Sequence, residues 1–256
     1  MFQAPPLAPL TILDFGLLAL IGVGMPIYCW IEHQRELKRK AEGRGRLLLF
    51  EYWQTIFMLW VSTGLVIAVW VSSGRPLGHL GLTTSSNPWF LGALGCAMAA
   101  GLAYGAQVLI IRRSPRARQQ LRRVLAEQRG VSTVLPNSLG EVRTFRLVAL
   151  TAGVTEEILF RGFLVWGLAH WMPVWAAAAG ALLIFTLSHL YQETPRALAG
   201  VFVGGAIMTA LTLISGSLIP AMLLHALVDL AGGEMAWIAR PANDDAPAAL
   251  AGDQCD

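Results

Sequence analysis

Apolar residues gather into runs of about 20 residues, separated by short polar or charged stretches. A helix needs about 20 apolar residues to cross the hydrocarbon core of a bilayer. The pattern therefore predicts an all-α fold, a polytopic membrane helical bundle with about seven transmembrane helices. The predicted segments are 10–31, 47–72, 88–111, 146–170, 174–192, 197–214 and 218–238.

The composition supports a lipid environment. Hydrophobic residues make up 55% of the chain and charged residues only 14%, against about 25% charged residues in ordinary globular proteins. The net charge of +3 does not indicate nucleic acid, because the basic residues lie between apolar runs. The cysteines Cys29, Cys96 and Cys255 form no CxxC motif, so we expect neither a disulfide framework nor a thiolate metal site.

The distribution of cations predicts the orientation in the membrane. Six Lys and Arg residues lie in 32–46 and nine lie in 112–146, and cytoplasmic loops hold the excess of cations. We therefore expect an integral protein of the plasma (inner) membrane with its N-terminus outside and its C-terminus in the cytoplasm. No small-x-small cleavage site follows the first apolar run, which favours a retained helix over a removed signal peptide.

A few ionisable residues remain inside the last four apolar runs. A charged residue at a helix centre costs roughly 2.5–3.5 kcal/mol on insertion scales, so such residues are functional candidates when a partner can be named. The residues that can partner one another on neighbouring helices are Glu156, Glu157, Arg161, His189, His225 and Asp229.

The helical spacing predicts different roles for the two adjacent glutamates. Adjacent helical residues point about 100° apart, so Glu156 and Glu157 are not expected to serve one point easily. Glu157 and Arg161 are spaced i,i+4 and can form an ion pair, which leaves Glu156 as the free carboxylate. The alternative is that all three residues form one structural salt-bridge cluster that holds helices together.

The same reasoning places the histidines. His225 and Asp229 are spaced i,i+4 and share a helix face. Counted from the predicted segment ends, Glu156, His189, His225 and Asp229 are all expected in the half of the bilayer nearer the cytoplasm. These four residues can then line one water-reachable pocket that opens to the cytoplasmic side.

Three motifs in this order carry a resemblance. Glu156-Glu157-x-x-x-Arg161, Phe185-x-x-x-His189 and His225-x-x-x-Asp229 resemble the CAAX protease and bacteriocin-processing family, also called the CPBP or Abi family. Its members are intramembrane endopeptidases and include the CAAX prenyl endopeptidase. The resemblance covers about 135–238.

The resemblance implies a role for each residue. Glu156 matches the general base, which activates the attacking water together with His189. Glu157 and Arg161 match residues that support the site. His225 and Asp229 match the pair that stabilises the oxyanion, although many members carry Asn at the position of Asp229. Because an aspartate donates a hydrogen bond only when protonated, orientation of His225 is the alternative role for Asp229.

A metal is the open question about cofactors. Members of the family are often called metalloproteases, and Glu156, His189 and His225 could supply three ligands to a divalent metal such as zinc, leaving a fourth position for water. The sequence has no His-Glu-x-x-His motif, and a glutamate and a histidine can activate water unaided. We favour the version without a metal.

The resulting hypothesis is an intramembrane endopeptidase that hydrolyses a peptide bond near the C-terminus of a membrane-associated protein, or in a precursor peptide. Residues 1–130 are then N-terminal helices and a basic cytoplasmic loop that serve as scaffold or gate, 131–240 form the catalytic membrane domain from the last four helices, and 241–256 form a disordered tail. Two rivals remain. One is a proton-coupled transporter, since intramembrane Glu and His also form relays, and the other is a non-catalytic immunity or assembly protein.

Overall fold

The computed structural model describes residues 8–127, 130 and 133–240, and within this part the chain is helical with no β-strand. The fifth helix is a continuous run in which Leu139–Glu156, the π-helical segment Glu157–Leu164 and Val165–Leu168 follow one another. The first helix also contains a π-helical turn, Leu20–Gly24. The helices are α1 (Ile12–Ala41), α2 (Leu48–Ser72), α3 (Pro88–Arg113), α4 (Pro115–Glu127), α5 (139–168), α6 (Val174–Ser188), α7 (Pro195–Ser215) and α8 (Ile219–Ile238).

The expected all-α polytopic bundle is confirmed. Five helices of the described residues, α1, α2, α3, α7 and α8, are long and apolar enough to cross a membrane. The other two predicted segments depart from the simple apolar pattern. Helix α6 has only 15 residues, and α5 begins at Leu139, behind an N-cap at Ser138, rather than at 146.

The charged run after the first apolar segment is helical, which corrects the expectation of a loop over 32–46. Helix α1 continues to Ala41, about 15 Å beyond residue 31 at about 1.5 Å per residue. Glu, Lys and Arg are good helix formers, and the Arg39 guanidinium pairs with Glu36 at 2.6 Å, one turn away. The charges therefore end the apolar span without ending the helix.

The loops between helices collect at two ends of the bundle. At one end, Tyr52 donates a hydrogen bond to the Val134 carbonyl at 2.6 Å, and His33 pairs with Glu193 at 2.8 Å. We call this the basic end, because both cation-rich stretches lie there. At the far end, the Leu218 amide donates to the Gly81 carbonyl at 2.9 Å. The expected alternation of loops between the two sides is present, whereas the side of the membrane on which each end lies stays a prediction.

The far end is closed by a buried ion pair. The guanidinium of Arg75 donates to both carboxylate oxygens of Asp14, at 2.8 and 2.6 Å, and Asp14 is fully buried. The same guanidinium carbon lies 5.3 Å from the ring centroid of Trp70 and 4.5 Å from that of Trp166. Charge and cation–π contacts together therefore join α1, the loop after α2, and α5.

Helix α8 packs against α5 and α3, and α5 also packs against α2. Helices α5 and α8 approach closely at Gly153, where an added Cβ would lie only 2.7 Å from the Ala226 amide nitrogen. Ala226 follows His225, and Gly153 precedes Glu156 by three residues. The glycine therefore allows the two helices that carry most of the predicted site to come together. The predicted tail over 241–256 lies outside the described residues.

Candidate active site

A change of helix type marks the predicted site. Helix α5 is α-helical up to Glu156 and π-helical from Glu157 to Leu164. Such segments are rare and often occur at functional sites, because the wider turn moves side chains relative to one another. The π-helical segment begins between the two glutamates and contains Arg161.

At the centre of the site, the Glu157 carboxylate binds two side chains: Arg161, one turn later on α5, and His225 on α8. Its Oε1 atom accepts hydrogen bonds from Arg161 Nη1 at 3.0 Å and from His225 Nδ1 at 2.8 Å. The side chains of Glu157 and Arg161 are 0% and 2% exposed. The predicted Glu157–Arg161 ion pair is present, and it is sealed inside the bundle where no water competes with it.

Arg161 has two further contacts. Its Nη2 lies 3.4 Å from the Gly205 carbonyl oxygen on α7, and its Cζ lies 4.0 Å from the ring centroid of Phe185 on α6. An added Cβ on Gly205 would come within 2.9 Å of that guanidinium. Arg161 thus links α5, α6 and α7 around the buried carboxylate.

The opposite edge of His225 faces the other two carboxylates. Its Nε2 atom lies 3.9 Å from Glu156 Oε2 and 3.6 Å from Asp229 Oδ2. The side chains of Glu156 and Asp229 are 15% and 37% exposed, against 0% for Glu157. Glu156 Oε2 and Glu157 Oε2 are both buried atoms without a hydrogen-bond partner. Of the two glutamates, only Glu156 retains exposed surface, and it lies outside the buried ion pair.

The two glutamates do not serve one point, as expected, but both lie beside the same side chain, that of His225. Glu157 takes the Nδ1 side of His225 and Glu156 the Nε2 side. The physical reason is that an imidazole presents two nitrogens in different directions. Two carboxylates that diverge along the helix can therefore address one ring.

His189 ends α6 as its C-cap instead of lying inside a helix that runs to 192. Its Nδ1 lies 2.8 Å from the Phe185 carbonyl oxygen. A carbonyl only accepts, so Nδ1 carries the proton, and in the neutral ring Nε2 is left as the acceptor. Within the described residues, no ion-pair contact joins His189 to Glu156 or to Asp229.

Phe185 connects the two histidines. Its ring centroid lies 4.5 Å from that of His189 and 6.3 Å from that of His225. The predicted Phe-x-x-x-His motif therefore has a structural basis: Phe185 supplies the carbonyl that fixes the ring of His189 and the ring that lies beside Arg161.

Residues outside the predicted set hold the loop that follows His189. Tyr191 stacks on His189 with ring centroids 5.6 Å apart and planes 34° apart. Glu193, at φ 61, accepts from His33 of α1. The sequence gives no local signal for this contact, because 160 residues separate its two partners.

The helix bounds give the position of the site along the bundle. His225 lies six residues from the far-end start of α8 and 13 from its last residue, Ile238. Glu156 lies 17 residues from the start of α5. The glutamate and His225 therefore lie near the middle of the bundle, slightly toward the far end. Helix α5 begins seven residues earlier than predicted, and the depth of these two residues in the bilayer stays a prediction.

The predicted metal ligands do not converge. Among the described residues, no group of three His, Cys, Asp or Glu side chains is arranged to hold one metal ion. The Nδ1 atom of His225 is occupied by Glu157, and that of His189 by the Phe185 carbonyl. Each Nε2 atom is left as the nitrogen that could bind a metal, so these contacts do not exclude one; we derive no step through a metal, because the described side chains are not gathered around one point.

The alternative that Glu156, Glu157 and Arg161 form one structural salt-bridge cluster holds for only two of these residues. Glu157 and Arg161 form the buried salt bridge of that alternative. Glu156 makes no ion pair with Arg161 among the described contacts, and it retains access to solvent. A purely structural role therefore accounts for Glu157 and Arg161 but leaves the position of Glu156 unexplained.

Comparisons with known proteins agree with the resemblance seen in the motifs. Residues 139–231 match the model of the family described as Type II CAAX prenyl endopeptidase Rce1-like. The matched segment starts at the first residue of α5, ends within α8, and contains all six predicted site residues. No curated protein and no solved structure matches the chain. Over residues 139–231 the chain is therefore similar to the Type II CAAX prenyl endopeptidase Rce1-like family, which supports the CAAX protease resemblance carried by its motifs.

Proposed function

We propose that this protein hydrolyses a peptide bond by means of a water molecule activated by Glu156 and His189. The observation that carries the proposal is the position of Glu156. Its side chain lies beside His225, outside the buried Glu157–Arg161 pair, and it is 15% exposed, whereas the side chain of Glu157 is 0% exposed. A general base must be able to reach both water and substrate, and Glu157 is enclosed and cannot do so.

In the proposed reaction, the water oxygen attacks the carbonyl carbon of the scissile bond while its proton passes to the Glu156 carboxylate. The Nε2 atom of His189 accepts the second hydrogen of the water and orients it. Collapse of the tetrahedral intermediate breaks the C–N bond, and the proton on Glu156 passes to the leaving amine. The products are a new carboxyl terminus and a new amino terminus.

In the proposed reaction, His225 and Asp229 stabilise the oxyanion of the tetrahedral intermediate. Glu157 anchors His225 through Nδ1–H, which directs Nε2 toward the side where Glu156 and Asp229 lie. With Nε2 also protonated, His225 donates to the developing negative charge, and a protonated Asp229 can supply a second donor. Donors fixed before the reaction are effective because they need no reorganisation in the transition state.

The architecture favours substrate entry from the basic end. Helix α6 has 15 residues and α8 has 20, so they are about 22 and 30 Å long. We propose that the loop after α6, which begins at the C-cap His189, is recessed relative to the end of α8. We propose that the basic end faces the cytoplasm, and that the substrate is a membrane-associated protein cleaved near its C-terminus, or a precursor peptide.

Comparative proteomics of membrane fractions tests this function. Cells with the wild-type protein are compared with cells carrying Glu156→Gln, and protein termini are quantified. We expect a set of new carboxyl termini that require the carboxylate of Glu156. Glu127→Gln is a matched control, because Glu127 is 71% exposed at the basic end. Termini that are identical in all three strains would contradict the proposal, and solute uptake by liposomes containing the purified protein would favour a transporter.

A further inference from the structure

A second polar region lies at the basic end, away from the candidate active site. It is a cleft of about 650 Å³ at the ends of α3, α5 and α8, beside α4. Its wall combines five arginines with a single acid and an apolar surface. The lining residues are Arg112, Arg113, Arg118, Arg143, Arg146, Glu234, Leu139, Val142, Trp237 and Ile238.

Within the part of the chain that the structure describes, three of these arginines have no acidic partner. Arg146 pairs with Glu234, and the Nη1 of Arg118 donates to the Arg112 carbonyl at 2.9 Å. Arg112, Arg113 and Arg143 are exposed, and no acidic side chain of the described residues pairs with them. Three cations from two helices thus face one cleft, and among the described lining residues the single carboxylate, that of Glu234, is already engaged.

The position of the cleft at the ends of two predicted membrane spans indicates which class of ligand it can bind. Arg112 and Arg113 form the last turn of α3, a predicted membrane span. Trp237 lies in the last turn of α8, also a predicted span, and tryptophan is enriched where the bilayer meets water. Phosphate groups of lipids lie at this depth, and a guanidinium binds phosphate through two parallel hydrogen bonds.

We propose that this cleft binds the headgroup phosphate of an anionic phospholipid. The arginines hold the phosphate, and the apolar wall of Leu139, Val142 and Ile238 contacts the glycerol and the first part of the acyl chains. A soluble phosphate uses only the cationic part of such a site, whereas an amphiphile uses both parts. The site is independent of the proposed hydrolysis.

The test is lipid retention by the full chain reconstituted in nanodiscs of zwitterionic lipid with about one fifth phosphatidylglycerol. Bound lipid is counted by native mass spectrometry after transfer to detergent. The variant Arg112→Gln/Arg113→Gln/Arg143→Gln is compared with Arg35→Gln/Lys38→Gln/Arg44→Gln. The control removes the same charge from exposed residues at the same end of the bundle, outside the cleft.

We expect the cleft variant to lose its preference for the anionic lipid by at least about tenfold, since each cation near a surface contributes measurably to lipid attraction, and the control to keep it. Equal losses in both variants, or no loss in either, would overturn the proposal. Displacement of the lipid by millimolar inorganic phosphate would assign the cleft to a free anion instead. If the cleft variant does not fold, photocrosslinking of phosphatidylglycerol to the wild-type protein decides: labelled peptides within 112–118, 139–146 or 234–240 support the site, and labels elsewhere refute it.

Discussion

His225 is held by a glutamate from another helix: its Nδ1 lies 2.8 Å from Glu157 Oε1, and that oxygen also pairs with Arg161 at 3.0 Å. One fully buried carboxylate atom therefore fixes an imidazole of α8 and a guanidinium of the same helical run. Because Glu157 takes this orienting position, Asp229, at 3.6 Å from the other nitrogen, is available to face the substrate.

The first prediction concerns the buried carboxylate. Glu157→Gln keeps an acceptor for His225 but leaves the Arg161 charge without its partner, and breaking a buried ion pair costs about 3–5 kcal/mol. We expect the thermal unfolding midpoint of the detergent-purified protein to fall by at least about 5 °C. Glu156→Gln removes no close ion pair and should leave the midpoint unchanged. Equal midpoints for Glu157→Gln and the wild type would show that Glu157 does not organise the site.

The second prediction concerns Asp229. An amide donates a hydrogen bond at any pH, whereas a carboxyl group donates only when it is protonated. Asp229→Asn should therefore keep at least about one tenth of the cleavage rate and extend activity to higher pH, and Asp229→Leu should lose about 10²-fold or more. The measurement is the rate of peptide cleavage between pH 5 and 9. A complete loss in Asp229→Asn would show that the negative charge is required, as expected if Asp229 orients His225.

The third prediction assigns a role to the N-terminal helix. His33 of α1 pairs with Glu193, four residues after His189, so α1 holds the loop that follows the catalytic candidate. His33→Ala should lower kcat by about tenfold through misplacement of His189, with little change in KM or in the unfolding midpoint. His33→Gln, which can still donate to Glu193, should restore most of the rate. Full activity in His33→Ala would mean that the loop needs no such anchor.

The fourth prediction concerns metal dependence. The described donors do not form a three-ligand centre, and Glu156 and His189 can activate water unaided. Dialysis of the purified protein against a strong chelator should leave its cleavage rate unchanged. Loss of the rate on chelation, followed by recovery on addition of zinc, would instead assign Glu156, His189 and His225 to a metal.

Much of the fold follows from one physical rule, the length of apolar helix that a bilayer requires. That rule finds α1, α2, α3, α7 and α8. It misplaces the start of α5, because Arg143 and Arg146 interrupt the apolar pattern of a helix that begins at a serine cap. It also misplaces the end of α6, because Leu190 and Tyr191 continue the apolar run after the helix has ended at His189.

The site is predictable where spacing along one helix decides the contact. The Glu157–Arg161 pair is spaced i,i+4 and is found as expected. The contact of Glu157 with His225 depends on how α5 and α8 approach at Gly153, and on the π-helical segment that begins at Glu157. Neither the distance between two helices nor a change of helix type is encoded in periodicity. The pairing of His33 with Glu193 cannot be predicted from periodicity either, because it depends on the approach of two separate elements.

The most direct test of the central claim is the single-turnover cleavage rate of a membrane-associated substrate by purified Glu156→Gln and His189→Ala, with Glu127→Gln as the control. A general base and an orienting imidazole each contribute typically about 10²–10⁴-fold. We predict losses of at least about 10²-fold in both variants, at unchanged unfolding midpoints, and wild-type cleavage in the control. Cleavage by Glu156→Gln at the wild-type rate would contradict the account.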